Sequence, residues 1–186
     1  MRTAFKEWAV IVDALGRGEQ ILILRKGGIH EGRGGFKPEH DRFVLFPTRF
    51  HQQREGVIER AQTRFDNLSA AWPPDGEVRL EYFAEVTRTL WLPDRERALA
   101  LRGQHLWRDE VVAAKADWGR EEGLHAILVR VFCLPKPVTL PVLPSYGGCR
   151  SWIQLEADVD ETGAAPVLDG TGFQQAVIRL EEALQG

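Results

Sequence analysis

Cysteine is scarce in this chain: Cys133 and Cys149 are the only two in 186 residues. They stand 16 positions apart and the five histidines are scattered. Structural zinc wants Cys/His ligands paired a few residues apart, so no metal is expected. Free thiols in a reducing cytosol are the expectation for both cysteines. Long apolar runs are missing as well. Nothing reaches the ~18 residues that would span a bilayer, and the opening Met1-Arg2-Thr3-Ala4-Phe5-Lys6-Glu7-Trp8 has no signal-peptide core, so a cytoplasmic location without a membrane partner is expected. Three motifs of catalysis or cofactor binding are also absent. Gly27 to Gly35 has neither the Gly-Lys-Ser/Thr ending of a P-loop nor the G-x-G-x-x-G spacing of a dinucleotide fingerprint, so no cofactor is expected. Pro74-Asp75 and Pro93-Asp94 occur, but no Asp/Glu-x-Lys follows either, which argues against metal-dependent nuclease chemistry. Internal repeats and low-complexity tracts are lacking too.

What is present is the composition of a globular protein, 44% hydrophobic and 27% charged. A net charge of −3 conceals an asymmetry: residues 1–54 hold ten Lys/Arg against six Asp/Glu, and the remainder holds fourteen against twenty-one. The basic side is amino-terminal, the composition of a surface that meets an anionic partner.

Phe5, Trp8, Val12 and Leu15 recur at intervals of three and four, which predicts a helix over 4–15 opened by Thr3 and closed by Gly16. Apolar runs and alternation predict strands near 20–24, 43–46, 78–92, 124–134 and 152–155. Helices are expected over 52–66, from Pro93-Asp94 to Gly103, over 108–118, and at the carboxyl end with Thr171 as cap. Prolines 135, 137, 141 and 144 force an extended edge segment. Helices and strands do not alternate regularly, so the expected class is α+β: a strongly bent, mostly antiparallel sheet or small β-barrel with helices packed outside. The expected division is one domain over 1–155, an acidic linker over 156–171 and a terminal helix over 172–186.

Two segments concentrate side chains that grip planar or anionic partners. One is Ser145-Tyr146-Gly147-Gly148-Cys149-Arg150-Ser151-Trp152, and the other runs from Arg25-Lys26-Gly27-Gly28 to Arg49, His51 and Gln52. Glycine pairs stand beside cations in both, as happens where backbone must approach a ligand closely. Arg25, Lys26, Arg49, His51, Gln52, Tyr146, Arg150 and Trp152 are the candidate ligand-binding residues, with Arg25, Arg49, His51 and Arg150 expected to line one pocket and Tyr146 or Trp152 to form its wall. Cys149 next to Arg150 is a candidate nucleophile with His51, His105 or His125 as base, but a buried filler is the better reading.

The ordered series Phe5-Lys6-Glu7-Trp8-Ala9, Leu24-Arg25-Lys26-Gly27-Gly28-Ile29, Phe46-Pro47-Thr48 with His51-Gln52, His105-Leu106-Trp107 and Tyr146-Gly147-Gly148-Cys149-Arg150-Ser151-Trp152 resembles the bacterial domain of unknown function 1802 family, over residues 4–155. The resemblance implies no established activity. Some members look fused to Mrr-like restriction endonuclease domains, which implies a nuclease partner and a role in restriction or DNA recognition. A helix, a Gly-x-Gly turn and a strand ending in Arg also look like ASCH and PUA-like domains. The functional expectation is a non-catalytic nucleic-acid-binding module, DNA or RNA, that senses a modified or extruded base in defence or repair. The alternatives are a small enzyme acting on a nucleotide-like substrate through Cys149 or His51, and a structural interaction domain.

Overall fold

The computed structural model describes residues 1–26, 40–50, 52–119, 121–148 and 150–185. The Gly27 to Gly35 loop, His51 and Cys149 lie outside them. In chain order the elements are β1 (Thr3–Trp8), α1 (Ala9–Gly16), β2 (Leu22–Arg25), β3 (Arg42–Thr48), α2 (Gln52–Glu55), α3 (Glu59–Ala70), β4 (Glu77–Leu92), α4 (Arg95–Leu99), α5 (Asp109–Asp117), β5 (Leu124–Pro141), β6 (Trp152–Gln154), β7 (Ala165–Pro166) and α6 (Gly170–Gln185).

The class is α+β. Among the described residues, seven strands form one open sheet in the order β2-β5-β4-β3-β1-β6, with β7 on β5; β1 and β3 run parallel and the other pairs antiparallel. The sheet is not closed into a barrel, but it is strongly bent. Arg25 of β2 and Phe5 of β1 are four strands apart in the order, about 19 Å in a flat sheet. Yet the Arg25 guanidinium lies 5.6 Å from the Phe5 ring. The concavity this creates holds α1, which is buried nearly all round through Val10, Ile11, Val12, Ala14 and Leu15.

The helix predicted over 4–15 is therefore half strand. Residues 3–8 pair with β3 on one side and β6 on the other, and Ala4 and Phe5, which point to opposite faces, are both buried because each face is covered by its own core cluster. The helical spacing from Phe5 to Leu15 crosses a strand–helix junction. Thr3 caps nothing; the helix begins after Trp8, whose extended backbone (ψ 134°) ends the strand without a side-chain cap.

The helix predicted over 52–66 breaks at Gly56-Val57-Ile58. Those residues pair with 106–108 instead: Ile58 N–H donates to the Leu106 carbonyl at 2.9 Å and Arg108 N–H to the Gly56 carbonyl at 2.9 Å. Ala61 and Phe65 of α3 face the core as expected. α4 is capped by Asp94, whose carboxylate accepts from Arg97 N–H at 2.7 Å. α6 is capped by Asp169, accepting from Gly172 N–H at 2.7 Å, where Thr171 was expected.

β5 continues through its prolines. Pro135 and Pro137 sit where four residues, 134–137, oppose the single Glu81 of β4, so the missing N–H groups fall in a bulge. The acidic stretch 156–171 is tied back at several points. Val159 exchanges backbone hydrogen bonds with Met1, Arg2 pairs with Asp158 at 2.8 Å, and β7 pairs with Phe132 and Cys133. Ala176 and Leu180 of α6 are buried in the main core.

Candidate functional site

β1 distributes the candidate residues. Trp8, at the end of the strand, lines one groove and Lys6 lines a second.

The first groove, about 500 Å³, lies between α5, the end of β1 and α2. Val111, Lys115 and Trp118 line it from one side, at the i, i+4, i+7 spacing that puts them on one helix face. Trp8, Gln52 and Gly56 line it from the other. Gly56 has to be small here, because an added Cβ would stand 2.6 Å from the Trp8 ring. Beneath lies Trp107, 1% exposed and fixed by its bridge to Val57. Trp118, by contrast, is 70% exposed.

Lys115 is the unusual member. Its Nζ stands 4.6 Å from the Trp107 ring and 5.8 Å from the Trp8 ring. Among the described residues it donates no hydrogen bond and has no carboxylate within 4.0 Å. Burial holds its pKa below the ordinary lysine range, and the attraction of Glu7 opposes that shift. Glu7 itself is buried, and one carboxylate oxygen accepts from Trp8 N–H at 2.6 Å. Burial raises its pKa, while Lys115, that hydrogen bond and Arg25 pull the other way. Next to Trp107, His105 is buried, and burial pushes its pKa down to about 4, against the opposing pull of Asp109 and the Trp107 backbone.

Lys26 and Gln52 are the predicted residues that reach this groove, in different ways. Lys26 Nζ donates to the carbonyls of Ala116, Glu121 and Gly123, so its charge closes the carboxyl end of α5. Gln52 is exposed at the rim.

The second groove, about 380 Å³, holds Arg49 and Tyr146 along with Lys6, Trp72 and the Gly147-Gly148 pair. Asp75 and Glu77 also line it, and its two cations and its tyrosine are engaged within the chain. Arg49 donates to the Ser69 carbonyl at 3.1 Å and lies 5.2 Å from the Trp72 ring. Lys6 Nζ donates to the carbonyls of Tyr146 and Gly148 at 2.9 and 2.7 Å. The Tyr146 ring is buried edge-on to Phe46, and its hydroxyl accepts from Glu156 N–H at 2.9 Å.

Arg25 and Trp152 meet through Phe5, whose ring lies under the Arg25 guanidinium and 4.8 Å from Trp152. Arg150 is exposed and lines neither groove. Six of the eight candidate residues are thus divided between two grooves and an aromatic cluster; Arg150 belongs to none of these, and His51 lies outside the described residues. Lys115, Trp118 and Trp107 were missed. The signal for the first two was the Val111-Lys115-Trp118 stripe, a lysine placed between apolar residues on one helix face.

The family model described as Domain of unknown function (DUF1802) matches residues 4–179. The chain belongs to this family. The DUF1802 match runs past residue 155, through the acidic stretch and most of α6, which extends the resemblance read from the motifs. Among curated proteins none matches the chain. Two solved structures from Zymomonas mobilis are similar to this DUF1802 chain. One is a mutant form of an ASCH protein, 12% identical, covering 96% of this chain and 94% of that one with a TM-score of 0.48. The other is an ASCH protein, 14% identical over the same shares, with a TM-score of 0.45.

Proposed function

We propose that the chain is a non-catalytic module that binds single-stranded or locally opened nucleic acid, holding one base in the groove between Trp8 and Trp118. The observation that carries this reading is the half-buried Lys115 ammonium, unpartnered among described residues, set between an exposed tryptophan and two inner ones. A planar aromatic wall with a cation beside it suits a nucleobase, whose π-face stacks and whose phosphates or exocyclic oxygens accept from the cation. The volume lies within the range of about 300–1,000 Å³ usual for small-molecule sites. Gln52 at the rim adds a donor and an acceptor for base edges.

The restriction or repair setting implied by the family resemblance belongs to this proposal as well. A chain without an Asp/Glu-x-Lys element would need a nuclease partner to cut what it holds. Fluorescence anisotropy with labelled single-stranded DNA, single-stranded RNA and duplex DNA at low salt tests the reading. Single strands should bind more tightly than duplex and quench tryptophan emission, with affinity falling as salt rises. Equal, unquenched binding of all three, or no binding, removes it.

A further inference from the structure

We infer that Lys115 captures an aldehyde carried on a nucleic-acid strand, forming an imine through Nζ inside the first groove. This rests on the nucleic-acid reading above and narrows it to a ligand chemistry. Ordinary lysine amines are solvated, charged and inert toward carbonyls. Lysines that form imines sit in apolar pockets where desolvation frees the amine.

Lys115 meets those conditions by geometry. It projects from a formed helix turn, its Nζ is flanked by two indole rings, and it opens into a groove with apolar walls. No hydrogen-bond acceptor among the described residues ties up the nitrogen. Lys26, the other lysine at this groove, has its Nζ engaged by three carbonyls. The lowered pKa of Lys115 acts in the same direction, since each unit gives about tenfold more free amine at a given pH.

The step balances without a redox partner. The ammonium first loses a proton to groove water, and its lone pair attacks the carbonyl carbon. One N–H proton and the proton held by the groove water pass to the carbonyl oxygen, which leaves as water as the C=N bond forms, and the nitrogen keeps its last proton. Glu7, behind Lys115, attracts the protonated imine as it attracts the ammonium. On a strand, two aldehydes present this chemistry: the ring-opened sugar of an abasic site and a formylated base. The neighbouring bases would stack on Trp118.

The test incubates the full chain with sodium cyanoborohydride and one of three single-stranded DNAs: one with a single abasic site, one with a single 5-formylcytosine, and the intact strand. Denaturing gels and peptide mapping read the adducts. A reduced adduct on Lys115 from at least one aldehyde strand, about tenfold or more above that on exposed Lys136, is the expected result. The strand that gives it identifies the sugar or the base as the source. Lys115→Arg should abolish the adduct, whereas Lys136→Arg should leave it in place. Mapping on the unaltered chain decides the question even if Lys115→Arg fails to fold. No adduct, or adducts spread evenly over Lys136 and the amino terminus, overturns the inference. If the intact strand binds and nothing is trapped, the capture alone falls. If no strand binds while benzaldehyde is trapped on Lys115, the nucleic-acid reading falls and the proposal with it.

Discussion

The two grooves are similar in size and each contains tryptophan and lysine, yet they differ in what their polar groups already hold. In the second groove Lys6 and Arg49 donate to backbone carbonyls, and the Tyr146 hydroxyl is fixed by Glu156. In the first, whose lining also includes Glu110, the Lys115 ammonium lies against two indole rings and donates no hydrogen bond among the described residues. A residue type therefore says little about a ligand until its partners within the fold are known. The same lesson applies to the basic amino-terminal side. Arg2, Arg17, Arg42 and Arg54 are paired with Asp158, Asp13, Glu85 and Asp66, so much of the excess cation is neutralised by the fold itself.

The largest difference between the grooves should appear in stability. Trp107 under the first is fully buried, so Trp107→Ala should cost about 3–5 kcal/mol in urea unfolding. Trp72 beside the second is only half-buried, and Trp72→Ala should cost about 1 kcal/mol or less. Comparable losses would mean that the second groove is as much a part of the core as the first.

A somewhat smaller effect should follow pH. His105 has a folded pKa near 4 against an ordinary value of 6.5, so only the unfolded chain takes up its proton between those values. Its contribution is fully present above about pH 6.5 and is lost as pH falls toward 4, to a total of about 3 kcal/mol. His105→Leu should flatten that part of the stability–pH curve. An unchanged slope would show that other groups set it.

The smallest effect is on binding and bears directly on which groove is the site. Trp118→Ala should weaken single-strand binding by about 1–3 kcal/mol with little change in melting temperature, because the ring is mostly exposed. Arg49→Ala should change it by less than about twofold, since Arg49 is already held by Ser69 and Trp72. The reverse order would transfer the site to the second groove.

The sheet was largely legible, because β-branched and aromatic alternation marks strands wherever one face is buried. The first eight residues were not, since a strand covered on both faces buries consecutive side chains and loses its period of two. Of the residues grouped from the sequence, Arg49 and Tyr146 line one groove and Lys26 and Gln52 the other. Their engagement could not be read, because the partners of Lys26 lie some 90 residues away and those of Lys6 about 140. Lys115 was legible in principle, but a lone lysine in a helix is ordinarily a solvated charge.

The late place of β5 in the chain bears on how the protein is made. Leu22 pairs with Leu128, and Thr3 with Gln154, so the first two strands precede essential partners by more than a hundred residues. At ribosomal rates of about 5–20 residues per second, β2 waits on the order of 5–20 s for its only strand partner among those described. Through that interval Leu22-Ile23-Leu24 emerges as an apolar segment that nothing yet covers. Nascent chains halted before Leu124 should remain open to protease, and those extended beyond Pro166 should close.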